Sequence, residues 1–168
     1  PGTAWRCSIK HGCKDADWGG DGVRGEDSLW TAAGTDCFSP RILYIHGGSW
    51  LYGSPTASGY DSLASKLAVL AGAVVLAIDY PLVPVGNFSS ILALSLGALQ
   101  WLDGHGPGGA PCHQPGLAPL LVAGDSSGGG SAAALMLQVG AEPERWPPIA
   151  GAFFYSPWLN LVCDTPTY

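Results

Sequence analysis

The chain has 168 residues, a length typical of one domain, and 47% of them are hydrophobic while only 12% are charged. This composition excludes an intrinsically disordered chain, because disorder requires low hydrophobicity and high net charge. Seven Lys and Arg against thirteen Asp and Glu give a formal net charge of −6, so the basic face that a nucleic-acid-binding protein needs is missing. The longest apolar run, residues 67–78, is shorter than the roughly 20 residues of a membrane-spanning helix.

The first 36 residues differ in composition from the rest of the chain. They are rich in glycine and acidic residues and contain two of the five cysteines, Cys7 and Cys13. No helical or alternating apolar period is sustained there, so we expect an irregular N-terminal segment over residues 1–36 with one short strand near residues 29–31. The odd number of cysteines does not resemble a closed disulfide framework, and it leaves the redox compartment open.

From residue 37 onwards, predicted strands alternate with predicted helices. Four apolar runs indicate strands, at residues 42–45, 74–78, 120–123 and 149–155. The first two are expected to be buried. Helical spacing or strong helix formers predict the helices between them, over residues 60–71, from an N-cap at Ser89–Ser90 to residue 102, and over 131–139. Residues 103–118 are predicted to be a loop. This alternation indicates an α/β fold, with a mostly parallel central sheet and helices on both faces.

The strongest functional signal is the segment Gly124-Asp125-Ser126-Ser127-Gly128, which lies between a predicted strand and a predicted helix. It fits the G-x-S-x-G nucleophile elbow in the strand–turn–helix context that this motif requires. Glycine is expected at both ends because the turn is too tight for side chains there. The serine hydroxyl would lie beside the positive N-terminus of the helix. The flanking elements favour a nucleophile over a Gly-Ser turn without function.

A second signal, His46-Gly47-Gly48-Ser49-Trp50, directly follows the strand predicted at residues 42–45. Acyl transfer develops negative charge on a carbonyl oxygen, and backbone N–H groups aimed at that oxygen stabilise it. We predict that Gly47 and Gly48 supply such donors, with the N–H of Ser127 as the third. His46 is predicted to be a structural hydrogen-bonding residue, because the histidine of an elbow-type triad follows the serine in the chain.

Three motifs in this order resemble the hormone-sensitive-lipase-like branch of the α/β-hydrolases. They lie at residues 46–50, 79–84 and 124–129, and their usual forms in that family are HGGG, DYRLAPE and GDSAGG. The resemblance covers about residues 41–162 and implies a partial α/β-hydrolase domain over residues 37–168. It further implies carboxylic-ester hydrolysis, with Ser126 as the nucleophile and Gly47 and Gly48 in the oxyanion loop. Ser49 replaces the family's third glycine, and Pro81 and Val85 stand where Arg and Glu are usual.

The resemblance also implies a triad acid and a triad histidine after the nucleophile. All four histidines precede Ser126, and the only acids after it are Glu142, Glu144 and Asp164. Asp164 follows the fourth predicted strand too closely to be the acid. We therefore expect the chain to be an N-terminal fragment of a longer protein. The triad acid and histidine are expected in the part of that protein that follows residue 168. Without a base the serine is a weak nucleophile, so the isolated chain is expected to be inactive.

Metal-ligating residue types cluster near the N-terminus, at Cys7, His11, Cys13, Asp15 and Asp17. Their spacing matches no common zinc framework and no second ligand pair follows, so we predict a polar loop without a metal. We expect no cofactor, no nucleic-acid partner and no transmembrane segment. The expected partner is a small-molecule ester.

The sequence supports two main hypotheses of function, which belong to different classes of protein. The favoured one is an esterase, in which Trp50, Tyr52 and Trp158 either line an acyl pocket or pack at the rim of the core. The alternative is a non-catalytic small-ligand-binding protein similar to the plant gibberellin receptors, which resemble this family and lack the triad histidine. A remnant without function is a third possibility. A downstream acid followed by a histidine would favour the enzyme.

Overall fold

A computed structural model describes residues 4–8, 12–15, 28–57 and 59–164, the first two ranges by their backbone only. In this part of the chain seven strands form one sheet: β1 (Ala4–Ser8), β2 (Gly12–Asp15), β3 (Ser28–Ala32), β4 (Arg41–Ile45), β5 (Val74–Ile78), β6 (Leu120–Asp125) and β7 (Gly151–Tyr155). The α-helices of the same ranges are α1 (Tyr60–Ala71), α2 (Phe88–Gly104) and α3 (Ser126–Ala141), and a single 3-10 turn covers Pro107–Gly109.

The strands lie in the order β2-β1-β3-β5-β4-β6-β7. The last four of these pair in parallel, whereas β2, β1 and β3 extend one side of the sheet with antiparallel pairs. The predicted α/β fold with a mostly parallel sheet is therefore confirmed. Strand β4 lies between β5 and β6, so the turns that follow β4 and β6 leave the sheet side by side.

Two apolar clusters cover the two faces of the sheet, because successive strand residues point to opposite faces. In β4, Leu43 and Ile45 belong to the cluster that also contains the buried apolar side chains of α2 and α3. Ile42 and Tyr44 belong to the other cluster, which contains Ala64 and Ala68 of α1. All five residues of β4 are buried. Helices thus lie on both faces, and β4 is a central strand of the kind that a continuous apolar run predicts.

The described part of the N-terminal segment contains more strand than its sequence suggests. The strand expected near residues 29–31 is present as β3, but β1 and β2 differ from the irregular structure expected over residues 1–36. Strand β1 pairs with β2 on one side and with β3 on the other, so its order comes from main-chain pairing and not from a periodic apolar pattern. A domain boundary after residue 36 stays a prediction, and one sheet runs across it.

The N-cap of helix α2 lies two residues before Ser89, the first of the two predicted cap positions. Asn87 is the N-cap: its side chain accepts a hydrogen bond from the Ser90 N–H at 3.0 Å. In return the Ser90 hydroxyl accepts from the Asn87 N–H at 2.9 Å. This reciprocal pair is a capping box, in which serine occupies the third helical position. The sequence predicts the cap at Ser89–Ser90 because serine is a favoured N-cap residue, but in the structure both serines lie inside the first turn.

A buried cation and a disulfide fasten the end of α2 to the start of β4. The guanidinium of Arg41 donates to the carbonyl groups of Leu102 and Asp103 at the C-terminus of α2, and to the Cys37 carbonyl at 2.8 Å. A helix C-terminus is a favourable place for a cation because its carbonyl groups carry partial negative charge. Cys37 is bonded to Cys112, a pairing that the cysteine count had not suggested.

Candidate active site

Ser126 lies in the strand-to-helix turn that the sequence predicts. Strand β6 ends at Asp125 and helix α3 begins at Ser126. The φ of Ser126 is +50°, a left-handed conformation that costs a residue other than glycine on the order of 1–3 kcal/mol. A strained serine between a parallel strand and a helix is the local geometry of a nucleophile elbow. The role of Ser126 as a nucleophile stays a prediction.

The glycines around Ser126 are required by the end of strand β4. A Cβ atom on Gly124 would lie 2.9 Å from the Ile45 carbonyl oxygen and 2.7 Å from that of Gly128. A Cβ atom on Gly128 would collide with the carbonyl oxygens of Ile45 and His46. The sequence predicts glycine at these positions because the turn is tight. The structure shows that they also let α3 approach the neighbouring strand end.

The loop after β4 packs directly against the elbow. Strand residues Ile45 and Gly124 are partners in the parallel pairing, so both turns start at the same level. A Cβ atom on Gly47 would lie 3.1 Å from the Cβ atom of Ser126. The next residues, Gly48, Ser49 and Trp50, have φ values of +113°, +54° and +59°. Successive backbone N–H groups in such left-handed segments form concavities that suit an anion.

The N–H of Gly47 is engaged within the protein. It donates to the Asp125 carboxylate at 2.9 Å and to the Tyr60 hydroxyl oxygen at 3.1 Å. This differs from the donor role predicted for Gly47, because its N–H already has two acceptors and is held against Asp125. Gly48 and Ser127 stay as predicted donors. Ser127 is in the first turn of α3, where backbone N–H groups have no acceptor within the helix.

A buried phenol, that of Tyr44, and a half-buried one, that of Tyr60, complete the surroundings of Asp125. The Tyr44 hydroxyl donates to one carboxylate oxygen at 2.8 Å, and the Tyr60 hydroxyl donates to the other at 2.9 Å. Burial and the hydrogen bond to Asp125 raise the pKa of Tyr44, and the same causes raise the pKa of Tyr60 to about 12. Both phenols are therefore protonated donors at neutral pH. No sequence motif marked either tyrosine, because they lie on separate elements far from Asp125 in the chain.

His46 is buried in the loop in a neutral form. Its Nδ1 lies 2.7 Å from the Gly47 carbonyl oxygen, a contact that places the proton on Nδ1. Its ring stacks on Tyr80 with 4.3 Å between ring centroids, and the Tyr80 hydroxyl donates to the His46 carbonyl at 2.7 Å. Burial lowers the pKa of His46. These contacts favour the structural role predicted for His46 over that of a proton acceptor for Ser126.

Aromatic side chains gather beside the elbow. Trp50 and Trp158 stack with 5.4 Å between centroids, and Phe88 meets Trp50 edge-on at 6.5 Å. The backbone N–H of Trp158 donates to the Ser126 carbonyl at 2.8 Å, so this stacked pair is held next to the elbow. Tyr52, expected with the two tryptophans, is 66% exposed.

The described residues contain no group of three or more His, Cys, Asp or Glu that could hold a metal ion. Of the N-terminal candidates, His11 and Asp17 lie outside the described residues, while Cys7 and Cys13 are opposite each other in the β1–β2 pairing. Asp164 accepts a hydrogen bond from the Asn160 side chain at 2.7 Å in the turn after β7. None of the helices in the described ranges has the length and apolar character needed to cross a membrane.

Comparisons with known proteins agree with this architecture. Residues 42–168 match a family model for the alpha/beta hydrolase fold. The chain is 36% identical over 123 residues to an acetyl-hydrolase of Streptomyces hygroscopicus, covering 73% of this chain and 37% of that protein. It is 35% identical over 130 residues to the arylacetamide deacetylase of Oryctolagus cuniculus, covering 76% of this chain and 32% of that protein.

Among solved structures, a hormone-sensitive lipase from a metagenome library superimposes with a TM-score of 0.65 and 27% identity, over 87% of this chain and 44% of that one. The chain thus spans about a third of the length of these curated relatives and less than half of that structure. The matched names are those of ester and amide hydrolases, and the matched residues include all three sequence motifs. The chain belongs to the α/β-hydrolase fold family, in its hormone-sensitive-lipase-like branch.

Proposed function

We propose that this chain carries the nucleophile and the oxyanion hole of a serine carboxylic-ester hydrolase. The observation that carries the proposal is the left-handed Ser126 of the elbow, with the loop of residues 46–50 packed against it. A strained serine is suited to acyl transfer when it lies next to a loop that offers backbone N–H donors.

In the proposed reaction the Ser126 oxygen attacks the ester carbonyl carbon while its proton passes to a histidine. The N–H groups of Gly48 and Ser127 stabilise the oxyanion, aided by the positive end of α3. The alcohol leaves with the proton from the histidine, and water then hydrolyses the acyl-enzyme. That histidine and its acid are proposed to come from sequence that follows residue 168, because no histidine follows Ser126 within the chain.

The proposed substrate is a small ester with an apolar acyl or alcohol part. The stacked rings of Trp50 and Trp158 offer a flat apolar wall. The backbone N–H of Trp158 is hydrogen-bonded to the Ser126 carbonyl. The names of the two curated relatives, an acetyl-hydrolase and an arylacetamide deacetylase, agree with a short acyl group.

The test compares residues 1–168 with a longer chain that contains them, using p-nitrophenyl acetate and butyrate. We expect hydrolysis by the longer chain only. Ser126→Ala should lower its kcat by about 10⁴–10⁶-fold, as loss of a triad serine does. Ser89→Ala, which removes an exposed hydroxyl from the first turn of α2, should leave kcat unchanged.

Two results would overturn parts of this proposal. Hydrolysis by residues 1–168 that Ser126→Ala abolishes would mean that a base within the chain serves the serine. An inactive longer chain that binds a small carboxylic acid tightly would favour the non-catalytic, receptor-like alternative.

A further inference from the structure

Asp125 occupies the N-cap position of α3 but does not cap the helix. An N-cap aspartate normally accepts a hydrogen bond from the second or third N–H of its helix. At Asp125 there is no side-chain cap hydrogen bond. Its carboxylate turns instead toward the neighbouring strand end, where it accepts from the Gly47 N–H at 2.9 Å. The helix gives up a favourable cap, and the loop after β4 gains an anchor.

Three separate segments meet at this carboxylate. Tyr44 comes from β4, Gly47 from the loop after it, and Tyr60 from the first turn of α1. The Gly47 N–H also reaches the Tyr60 oxygen at 3.1 Å, so Gly47, Asp125 and Tyr60 form a closed ring of hydrogen bonds. A Cβ atom on Gly47 would lie 2.5 Å from the carboxylate, so glycine is required for this contact.

The far end of the same loop is fastened to α3. The Trp50 indole donates to the Ser131 hydroxyl at 3.0 Å, and that hydroxyl donates to the Ser127 carbonyl at 3.2 Å. Gly48 therefore lies between two anchors, one at Gly47 and one at Trp50. The first anchor is Asp125, and the second reaches the Ser127 carbonyl through the Ser131 hydroxyl. Asp125 and Ser127 flank Ser126 in the chain.

We infer that Asp125 is the positioning residue of the oxyanion loop: its carboxylate holds the Gly47 peptide so that the next N–H, that of Gly48, faces the reacting carbonyl oxygen. This inference rests on the proposed function. A negative charge near a developing oxyanion is unfavourable by itself. The role of Asp125 is therefore geometric, and the donors from Gly47, Tyr44 and Tyr60 fix the position of its carboxylate.

The kinetic test uses the longer, active chain and short p-nitrophenyl esters. Asp125→Ala should lower kcat by about 10²-fold with KM changed less than about threefold, since misplacing one oxyanion donor costs on the order of 10²–10³ in kcat. Asp125→Asn keeps an acceptor oxygen for Gly47 and should retain kcat within about tenfold of wild type. Asp103→Ala is the matched control, because Asp103 also accepts a backbone N–H, from Gly116, but lies at the end of α2. It should leave kcat unchanged.

A second measurement does not depend on catalysis. Hydrogen exchange followed by mass spectrometry should show faster exchange over residues 44–52 in Asp125→Ala than in wild type or Asp125→Asn. If Asp125→Ala does not fold, Tyr44→Phe/Tyr60→Phe removes two donors, keeps the carboxylate and should show the same effects more weakly. Unchanged kcat in Asp125→Ala, or unchanged exchange in the loop, would overturn the inference. A wild-type chain that fails to hydrolyse any ester while exchange still depends on Asp125 would overturn the proposed function and leave the anchoring role standing.

Discussion

At Gly128 the helix after the elbow packs directly against the end of the neighbouring strand. The carbonyl oxygens of Ile45 and His46 occupy the place where a side chain would begin. Both belong to backbone, which cannot move aside as the end of a flexible side chain can. The close approach of the elbow to the oxyanion loop therefore depends on the absence of a Cβ atom at Gly128, as it does at Gly47 and Gly124.

We predict that Gly128→Ala lowers the free energy of unfolding by about 1–3 kcal/mol, because overpacking forces the backbone to shift. Gly97→Ala is the matched control. Gly97 is an exposed position inside α2 with open space where its Cβ would stand, so alanine should stabilise the helix by about 0.5–1 kcal/mol. Urea unfolding of both variants measures the difference. Equal stability of Gly128→Ala and wild type would contradict the prediction.

At the level of elements, the sequence predicts those strands and helices whose formation depends on their own residues. The apolar runs of β4, β5 and β6 were found because a strand buried on both faces is apolar throughout. Helix α1 was found from its apolar spacing and from Gly72, which ends it in a left-handed conformation. The strand–turn–helix context of Ser126 followed from the glycine spacing between two such elements.

What the sequence could not predict depends on partners far away in the chain. Strands β1 and β2 are ordered by pairing, and the cysteine count could not reveal which thiols meet. The tyrosines that bind Asp125 carry no motif, because each belongs to the apolar pattern of its own element. The sequence predicts Gly47 as an oxyanion donor from its place in the loop. It does not show the direction of an N–H, and in the structure the Gly47 N–H faces Asp125.

The Cys37–Cys112 disulfide joins two loops that are 75 residues apart in the chain. We predict that replacing both cysteines by alanine lowers the free energy of unfolding by about 2–4 kcal/mol, chiefly because the unfolded chain gains conformational freedom. Arg41 should hold the C-terminus of α2 less firmly as well, since one of its acceptors is the Cys37 carbonyl.

The control for the disulfide is Cys163→Ser, which removes a half-buried thiol that forms no disulfide. Thermal unfolding should show a large drop in midpoint for the double alanine variant and little change for the control. Similar midpoints for wild type and the double variant would show that the disulfide does not contribute to stability.

At the scale of the whole molecule, β7 leaves one side of the sheet unpaired in the described residues. Phe153 and Tyr155 lie on the same face of this strand and are 62% and 66% exposed. An exposed edge strand with apolar side chains invites pairing with another chain.

We therefore predict that residues 1–168, prepared alone, associate with increasing concentration and that Phe153→Lys reduces this association. Leu70→Lys is the control, because Leu70 is 85% exposed on α1, away from the edge. Light scattering over a concentration series distinguishes the two variants. A wild-type chain that stays monomeric throughout, or a larger effect of the control, would contradict the prediction.

The central place of β4 has a consequence for the order of folding. Its partner β5 follows after a single helix, whereas β6 arrives only after β5 and α2 have been passed, so the β4–β6 pairing closes a much longer loop. Longer loop closure costs more entropy and slows folding. The oxyanion loop and the elbow meet only through this late pairing. We therefore expect the β4–β6 pairing and the contact between the oxyanion loop and the elbow to form in the same folding step. No earlier intermediate should have Ser126 next to the oxyanion loop.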